Sequence, residues 1–459
     1  MAACAPAFAL LRTSALFGDN MVLQQGPRTP VYGYATPGET VRIKAGAHEA
    51  AALADKHGNW RVELNLSNPE GPLDLEIAGP FQKLTYHNVI VGEVWICGGQ
   101  SNMEWSFHDA KLAHQAAALG DANRPRIRLF KVQHVISDFA RRDAQGKWLV
   151  CTADTVNDFS LLGFLFGDAL QNRMGCSVGL VESDWGGTPA ESWTPQPALN
   201  GRTLPIGASV PMRFEADRTR SSKPKPERAP SVLYNGMISP LMPFGFRGVA
   251  WYQGESNIGR AEQYKKIFPA MIQAWRQDAG RDFPFLFVQL ANFDPQTAPG
   301  DSQWAALRDA QAAALTLPDT AMVTAVDLGN PNQIHAIQRD ELAKRLAWTA
   351  MSKVYDLRKP AIGPRLRRFK IEGAEVWLEF EGKLNGLIIR GDGGFQIAGE
   401  DKVFYKGFAR ISGGAVVVSS PKVSHPVALR YAWGDNPESS VYNSAGLPAV
   451  PFRTDDWGS

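Results

Sequence analysis

The stretch GEVWICGGQSNMEW, Gly92–Trp105, decides how the rest of the chain is read. Its first half, EVWICGG (93–99), is an apolar run closed by two glycines. An unbroken apolar run of that length between turn signals has the pattern of a strand buried on both faces. Gln100, Ser101 and Asn102 then follow, all polar and able to hydrogen-bond. Ser101 is therefore either a turn residue or a nucleophile at the carboxyl end of a buried strand. The choice depends on what else reaches the same edge, because ligands of open parallel sheets bind beyond the strands' carboxyl ends.

Outward from this stretch the chain divides into three sections. Residues 1–90 alternate with period two in VRIKA (41–45), WRVELNL (60–66) and LDLEI (73–77), with turn signals TPGE and KHGN between strands. One face is buried and the other wet, which predicts an antiparallel, jelly-roll-like β-sandwich. Residues 91–356 change period. Buried runs at 93–99, 177–187, 248–256, 285–291 and 321–329 alternate with helical patterns such as AEQYKKIFPAMIQAWRQDAG and AALRDAQAAAL. That alternation predicts an α/β domain, a parallel sheet with helices on both faces. Segment 215–230, EADRTRSSKPKPERAP, reads as a mobile surface loop. Residues 357–459 return to strand patterns at 375–380, 414–420 and 427–433, a second β module.

Four strand-end loops of the middle section carry small and polar residues: GGQSN, DWGGTP (184–189), QGESN (253–257) and DLGNPNQIH (327–335). A serine hydroxyl needs a base to take its proton during attack, and imidazole has the right pKa. Of the eight histidines, only His335 both follows a strong buried strand and precedes a helical pattern, so it is placed at the edge that holds Ser101. A developing oxyanion needs preset donors. The candidates are the Ser101 N–H, the Gly186 and Gly187 N–H groups, and the side-chain amides of Gln253 or Asn257. Trp105, Trp185, Trp193 and Trp251 flank these motifs. Packing is the default for tryptophan, and the alternative is the wall of a sugar-sized cleft. Trp105, Trp193 and Asn235 are the candidates for substrate contact, with bracing of the site as the other reading of Asn235. The GCSVG segment (175–179) matches a nucleophile-elbow pattern, but a helical pattern precedes Ser177 and a strand follows it. That order is the reverse of what the elbow requires, so Ser177 is set aside.

Composition narrows the class. A net charge of +2 from 48 basic and 46 acidic residues, with no long run of one sign, argues against nucleic acid or an anionic membrane as the main partner. No stretch approaches the roughly 20 apolar residues of a membrane span. The N-terminal MAACAPAFALLRTSALF lacks a basic n-region and a continuous h-region, so it does not read as an intact signal peptide. The spacing of Cys4, Cys97, Cys151 and Cys176 fits no zinc or CxxC pattern, which predicts buried free thiols.

Taken together, VGEVWICGGQSNMEW, ESDWGGTPAESW, LYNGMISPL (233–241), GVAWYQGESN and DLGNPNQIH resemble the sialate O-acetylesterase family of the SGNH hydrolase superfamily. FGDNMVLQQGPRTPVYGYATPGE (17–39) and RYAWGDNPESSVYNSAGLPAVPFRTD (430–455) are similar to the family's N- and C-terminal β regions, so the likeness spans nearly the whole chain in order. The resemblance implies a flavodoxin-like SGNH hydrolase domain flanked by β modules. It implies removal of O-acetyl groups from mono-, oligo- or polysaccharides, with Ser101 as nucleophile and His335 as base and without metal or cofactor. It also implies a periplasmic or secreted protein. Two departures stand out. Asn332 occupies the place, three residues before the histidine, where many SGNH enzymes have Asp. Ala336 follows the histidine, where proline is common. The resemblance points to Glu255 of the QGE block as the triad acid, with Asp327 or no carboxylate as alternatives. A non-catalytic carbohydrate-binding protein on the same scaffold is the rival reading. A metal-dependent hydrolase is disfavoured, because no second histidine stands at ligand spacing from His335.

Overall fold

A computed structural model of the 459-residue chain describes residues 10–68, 71–111, 124–201, 225–294, 302–335, 338–357 and 362–457. Residues 215–224 of the expected mobile loop, Cys4 and Ala336 lie outside the described residues. Within the remainder of that loop, Pro226–Arg228 forms a single 3-10 turn.

The central sheet has β1 (Lys83–Gly99), β2 (Arg124–Lys131), β3 (Trp148–Cys151), β4 (Val178–Asp184), β5 (Gly248–Tyr252), β6 (Phe285–Gln289) and β7 (Thr320–Thr324). Their spatial order is β3–β2–β4–β1–β5–β6–β7. All neighbours are parallel except β3 with β2, which are antiparallel. The apolar runs expected at β1, β4, β5, β6 and β7 are these strands, and β4, β5 and β6 are buried along their whole length. The helices that matter here are α1 (Ser101–Glu104), α2 (Leu161–Met174), α3 (Ala261–Ala279), α4 (Gln303–Ala312) and α5 (Arg339–Lys353). α2 packs on α5 and α3 on α4, and right-handed crossovers put the two pairs on opposite faces of the sheet.

Strand β1 is the switch point. The chain winds from it towards β4 and β2 on one side and towards β5, β6 and β7 on the other, so a crevice opens at its carboxyl end. Glycine is required there. A Cβ on Gly98 would lie 2.9 Å from the Ser183 carbonyl oxygen, and one on Gly99 2.0 Å from that of Tyr252. The two glycines that close the apolar run thus let β4 and β5 come up against the residues just before the serine.

The N-terminal β section is not set off by a linker. Its strands alternate as expected, Thr40–Ala45 burying every second residue. The 17-residue β1, however, runs through both units. Its first part pairs antiparallel with Leu73–Ala78, Ile90–Gly92 pair with Val22–Gln24, and Glu93–Gly99 lie between β4 and β5. The expected boundary at 90/91 falls inside this strand. A single apolar core, including Leu16, Val22, Leu64, Trp95 and Phe166, spans the N-terminal and central units. The C-terminal unit has its own core around Val376, Leu378, Ile397, Val418 and Leu429, joined by Val326 of the central unit. Two four-stranded antiparallel sheets form most of it.

Candidate active site

The site is assembled by register. Gly99 of β1 pairs with Asp184 of β4 on one side and with Tyr252 of β5 on the other. The loops that follow, Gln100–Ser101, Trp185–Gly187 and Gln253–Asn257, must therefore start side by side. Ser101 opens the one-turn α1, in which Met103 and Glu104 donate their N–H groups to the Gln100 carbonyl. The first amides of such a turn have no partner within it, which leaves the Ser101 N–H open beside its own half-exposed hydroxyl.

Gly186 and Gly187 arrive next to that hydroxyl, and a Cβ on Gly186 would be 3.3 Å from the Ser101 Cβ. The two glycines are not equivalent. The Gly186 N–H donates to Glu104 Oε2 at 2.6 Å. The Gly187 N–H has no partner among the described residues, and its φ of +74° is one that glycine takes at no cost. Glu104 also holds His134, whose Nε2 lies 3.2 Å from Oε1. Burial opposes its ionisation, but His134 and the Gly186 N–H outweigh that and keep its pKa below the usual carboxylate value.

Gln253 and Asn257 both sit in the interior. Each is fully buried. Gln253 Nε2 donates to Asn257 Oδ1 at 2.8 Å, and Asn257 Nδ2 donates to Glu191 Oε2 at 2.9 Å. Asn257 Oδ1 also accepts from the Ala190 N–H at 2.9 Å. These amides tie the DWGGTP and QGESN loops together, and both side chains are shut off from solvent. Gln100 works in the same way, its Oε1 accepting from the Ser256 N–H at 3.2 Å.

His335 comes from farther away, on the loop after the edge strand β7. Two contacts bring it to α1. Asn102 Nδ2 donates to the Ile334 carbonyl at 3.1 Å, and the imidazole lies on the Trp105 ring with centroids 3.8 Å apart. In this structure the serine hydroxyl makes no hydrogen bond to the imidazole. Such bonds often close only around substrate. Burial first, and then the Arg339 guanidinium, push the His335 pKa down to about 4, against a smaller upward pull from Asp109. The ring is therefore uncharged at neutral pH, the form a general base requires.

No carboxylate hydrogen-bonds that ring among the described residues. Glu255 Oε1 accepts from Asn102 Nδ2 at 2.5 Å, and its other oxygen is buried without a partner. It thus reaches the histidine loop through Asn102 and not through the imidazole. Burial pushes its pKa up, against the backbone N–H groups and Asn102 that favour the anion. Asp327 is committed to Arg345 through contacts of 2.7 and 2.9 Å. Asn332 is exposed and takes part in a local turn with Asn330.

The remaining expectations divide. Trp105 is half-buried against the imidazole, where it can face a substrate. Trp193 is fully buried, donates to Thr188 and packs edge-on to Trp251, so it is a core residue. Asn235 donates to the Ser137 carbonyl at 3.1 Å, and its own carbonyl accepts from Arg141 at 2.8 Å, which makes it a brace for the 137–141 loop. Ser177 precedes β4 at its amino end, and its carbonyl bonds the Glu93 N–H at the opposite edge from Ser101. Cys97, Cys151 and Cys176 are free thiols. Among the described residues no group of three or more His, Cys, Asp or Glu side chains could hold a metal ion. No helix among them is long and apolar enough to cross a membrane.

The C-terminal unit also reaches the site. Arg308 donates to the carbonyls of Gly434 at 2.7 Å and Asp435 at 2.9 Å. Asn436 Oδ1 accepts from Asn292 Nδ2 at 2.6 Å, and Asn292 Oδ1 in turn accepts from the Gly329 N–H at 2.7 Å. The loop that holds His335 is thus braced at its start from a second module.

Residues 91–352, the whole of this site included, match the family described as carbohydrate esterase, sialic acid-specific acetylesterase. The chain belongs to that family. Family membership places the protein among the carbohydrate O-acetylesterases. It is 29% identical over 383 residues to the sialate O-acetylesterase of Homo sapiens, with 75% of this chain and 71% of the human one covered. The mouse sialate O-acetylesterase is likewise 29% identical, over 401 residues. Among solved structures, a carbohydrate acetylesterase from Xanthomonas citri superposes with a TM-score of 0.88 at 34% identity, covering 98% of this chain and 100% of that one. The fold of that solved structure is therefore shared along nearly the whole of this chain.

Asn102, Glu104, His134 and Arg339 at the site were missed from sequence. His134 lies just past β2, and RPRIRLFK (124–131) was not recognised as a strand because its arginines look like surface residues. The apolar LFKV immediately before Gln133 and His134 was the available signal.

Proposed function

We propose that the protein hydrolyses acetyl esters of saccharides through an acyl-enzyme on Ser101, with His335 as general base and then general acid. Ser101 Oγ attacks the acetyl carbonyl carbon as His335 accepts the hydroxyl proton. The tetrahedral oxyanion is held by the N–H groups of Ser101 and Gly187. Collapse breaks the bond to the sugar oxygen, which leaves as an alcohol with the proton from His335. Water, deprotonated by the same imidazole, then attacks the acetyl-serine and releases acetate. The observation that carries this reading is the meeting of three strand-end loops and the His335 loop on one turn of helix, joined by the Asn102–Ile334 bond and the Trp105–His335 contact. No side chain needs a third carboxylate for proton balance. Arg339 and burial keep the imidazole neutral, and only the smaller pull of Asp109 aids imidazolium formation. The lack of a carboxylate bonded to the ring among the described residues is also what favours the rival, a sugar-binding protein without turnover.

Acetate release from acetylated xylan, acetylated xylo-oligosaccharides and O-acetylated sialic acids decides between the two and names the sugar. Ser101→Ala is expected to lower kcat about 10⁴-fold or more on whichever ester is cleaved. Wild type and variant that are equally inert on every ester, while both bind sugar, would establish the rival. A polymeric acetylated glycan as substrate would go with a periplasmic or secreted location.

A further inference from the structure

On the side of Ser101 where Gly186 lies, a second aromatic pair stands out. The His134 and Trp185 rings stack with centroids 4.0 Å apart and planes 7° from parallel. His134 Nε2 faces two acceptors, the Asp184 carbonyl at 3.0 Å and Glu104 Oε1 at 3.2 Å. Neither can donate, Glu104 being ionised, so Nε2 carries a proton. Nδ1 has no partner among the described residues. The His134 side chain is 37% exposed, and Trp185 is half-buried. Trp185 directly precedes Gly186, which abuts Ser101. The pair therefore offers a flat ring edge, a free ring nitrogen and an indole N–H beside Ser101. A pyranose ring, with its C–H face and hydroxyls that both donate and accept, has the complementary chemistry.

Glu104 fastens the arrangement. It is the last residue of the one-turn helix that Ser101 begins, and its two oxygens reach Gly186 and His134. One carboxylate thus fixes the distance between the nucleophile, the glycine turn and the stacked pair. By taking the Gly186 N–H, it leaves the Gly187 N–H as the free donor of the glycine pair.

We propose that the His134–Trp185 pair is a ledge that binds the pyranose ring of the acetylated substrate, and that Glu104 is the positioning residue that sets this ledge and the Gly187 donor against Ser101. This rests on the acyl-transfer reading and deepens it. Two measurements separate the two claims. In full-length protein carrying Ser101→Ala, titration calorimetry follows binding of methyl tri-O-acetyl-β-xyloside and of 9-O-acetyl-N-acetylneuraminic acid. Adding His134→Ala or Trp185→Ala is expected to weaken binding of the sugar that binds by about fivefold to tenfold, the worth of one hydrogen bond or one stacked ring. Unchanged affinity in both double variants would overturn the ledge, and so would failure of both sugars to bind. This arm needs no catalysis, so it stands even if Ser101 proves not to be a nucleophile.

The second measurement tests Glu104 by turnover of the same sugars and of p-nitrophenyl acetate. Glu104→Ala is expected to lower kcat about 100-fold on both ester types, as for a misplaced oxyanion donor. Glu104→Gln, whose amide oxygen still accepts from Gly186, is expected to recover at least about tenfold of that. A glutamine variant as impaired as the alanine variant, with unchanged melting temperature in both, would overturn the positioning role. In His134→Ala, the ratio of kcat/KM for the sugar ester to that for the aryl ester is expected to fall about tenfold. A ratio equal to that of wild type would overturn the ledge as a specificity element.

Discussion

Ser101 and His335 are held in place by different physics. The serine is held by backbone. Gly99 pairs with Asp184 and Tyr252 at once, and any side chain at residue 99 would collide with the Tyr252 carbonyl. The histidine is held by side chains. It sits eleven residues beyond the end of the edge strand β7, on a loop fixed by Asn102 below, Trp105 alongside and Asn292 with Asn436 from the C-terminal module. Ser101 cannot move without breaking the sheet. His335 can move if a few hydrogen bonds are lost. A Ser–His pair can therefore be rigid at one end and adjustable at the other.

The contrast breaks most visibly at the serine end. Gly99→Ala places a Cβ 2.0 Å from a backbone oxygen at a residue with φ of +143°. The cost is expected to be at least about 3 kcal/mol from strain and overpacking. Chemical denaturation should show it, together with loss of esterase activity. At the histidine end, Asn102→Ala is expected to lower kcat/KM by about 10- to 100-fold through misplacement of His335. Its loss of stability is smaller, about 1–3 kcal/mol for the unpaired Glu255 carboxyl. Steady-state kinetics and a denaturant curve on the same sample separate these effects. An equal stability loss at both ends, with kinetics unchanged in Asn102→Ala, would erase the distinction.

The charge on His335 sharpens the comparison further. The base must be neutral, and its folded pKa is depressed to about 4. Activity should therefore hold as pH falls through 6.5 and be lost only as it passes through about 4. The acid limb of kcat/KM on p-nitrophenyl acetate measures this, since that quantity reports the free enzyme. An acid limb near 6.5 would mean a solvated imidazole. Arg339→Met removes the cation that disfavours imidazolium and should move the limb upward. The smallest effect is expected from Trp193→Phe. It gives up the bond to Thr188 at about 1 kcal/mol of stability, with KM for the sugar ester unchanged because the residue lies in the core.

Much of the fold was legible because its signals are local. Period-two alternation marked Thr40–Ala45 and Asn59–Leu66, and continuous apolar runs marked β1, β4, β5, β6 and β7. β2 and β3 escaped. Arg128 inside β2 is buried, with its guanidinium satisfied by the Pro125 carbonyl at 2.9 Å and by Asn20 and Asn88. Sequence counts such an arginine as surface, and only tertiary partners make it an interior residue. The change of period at residue 90 is real, and one strand carries the chain through it.

The sequence by itself determined the strand ends. Short-range patterning put Ser101, the glycine pair and the QGE block just past buried strands, and parallel order then obliged them to share an edge. It could not decide which amides face a ligand and which are consumed inside. Gly186 and Gly187 are chemically identical, as are the amides of Gln253, Asn257 and Asn102. Only the tertiary structure gave the first glycine to Glu104, the amides of Gln253 and Asn257 to the loop scaffold, and that of Asn102 to Glu255 and the histidine loop. A hydrogen bond is made once its partner is within about 3 Å, and that distance is set by residues far away in the chain.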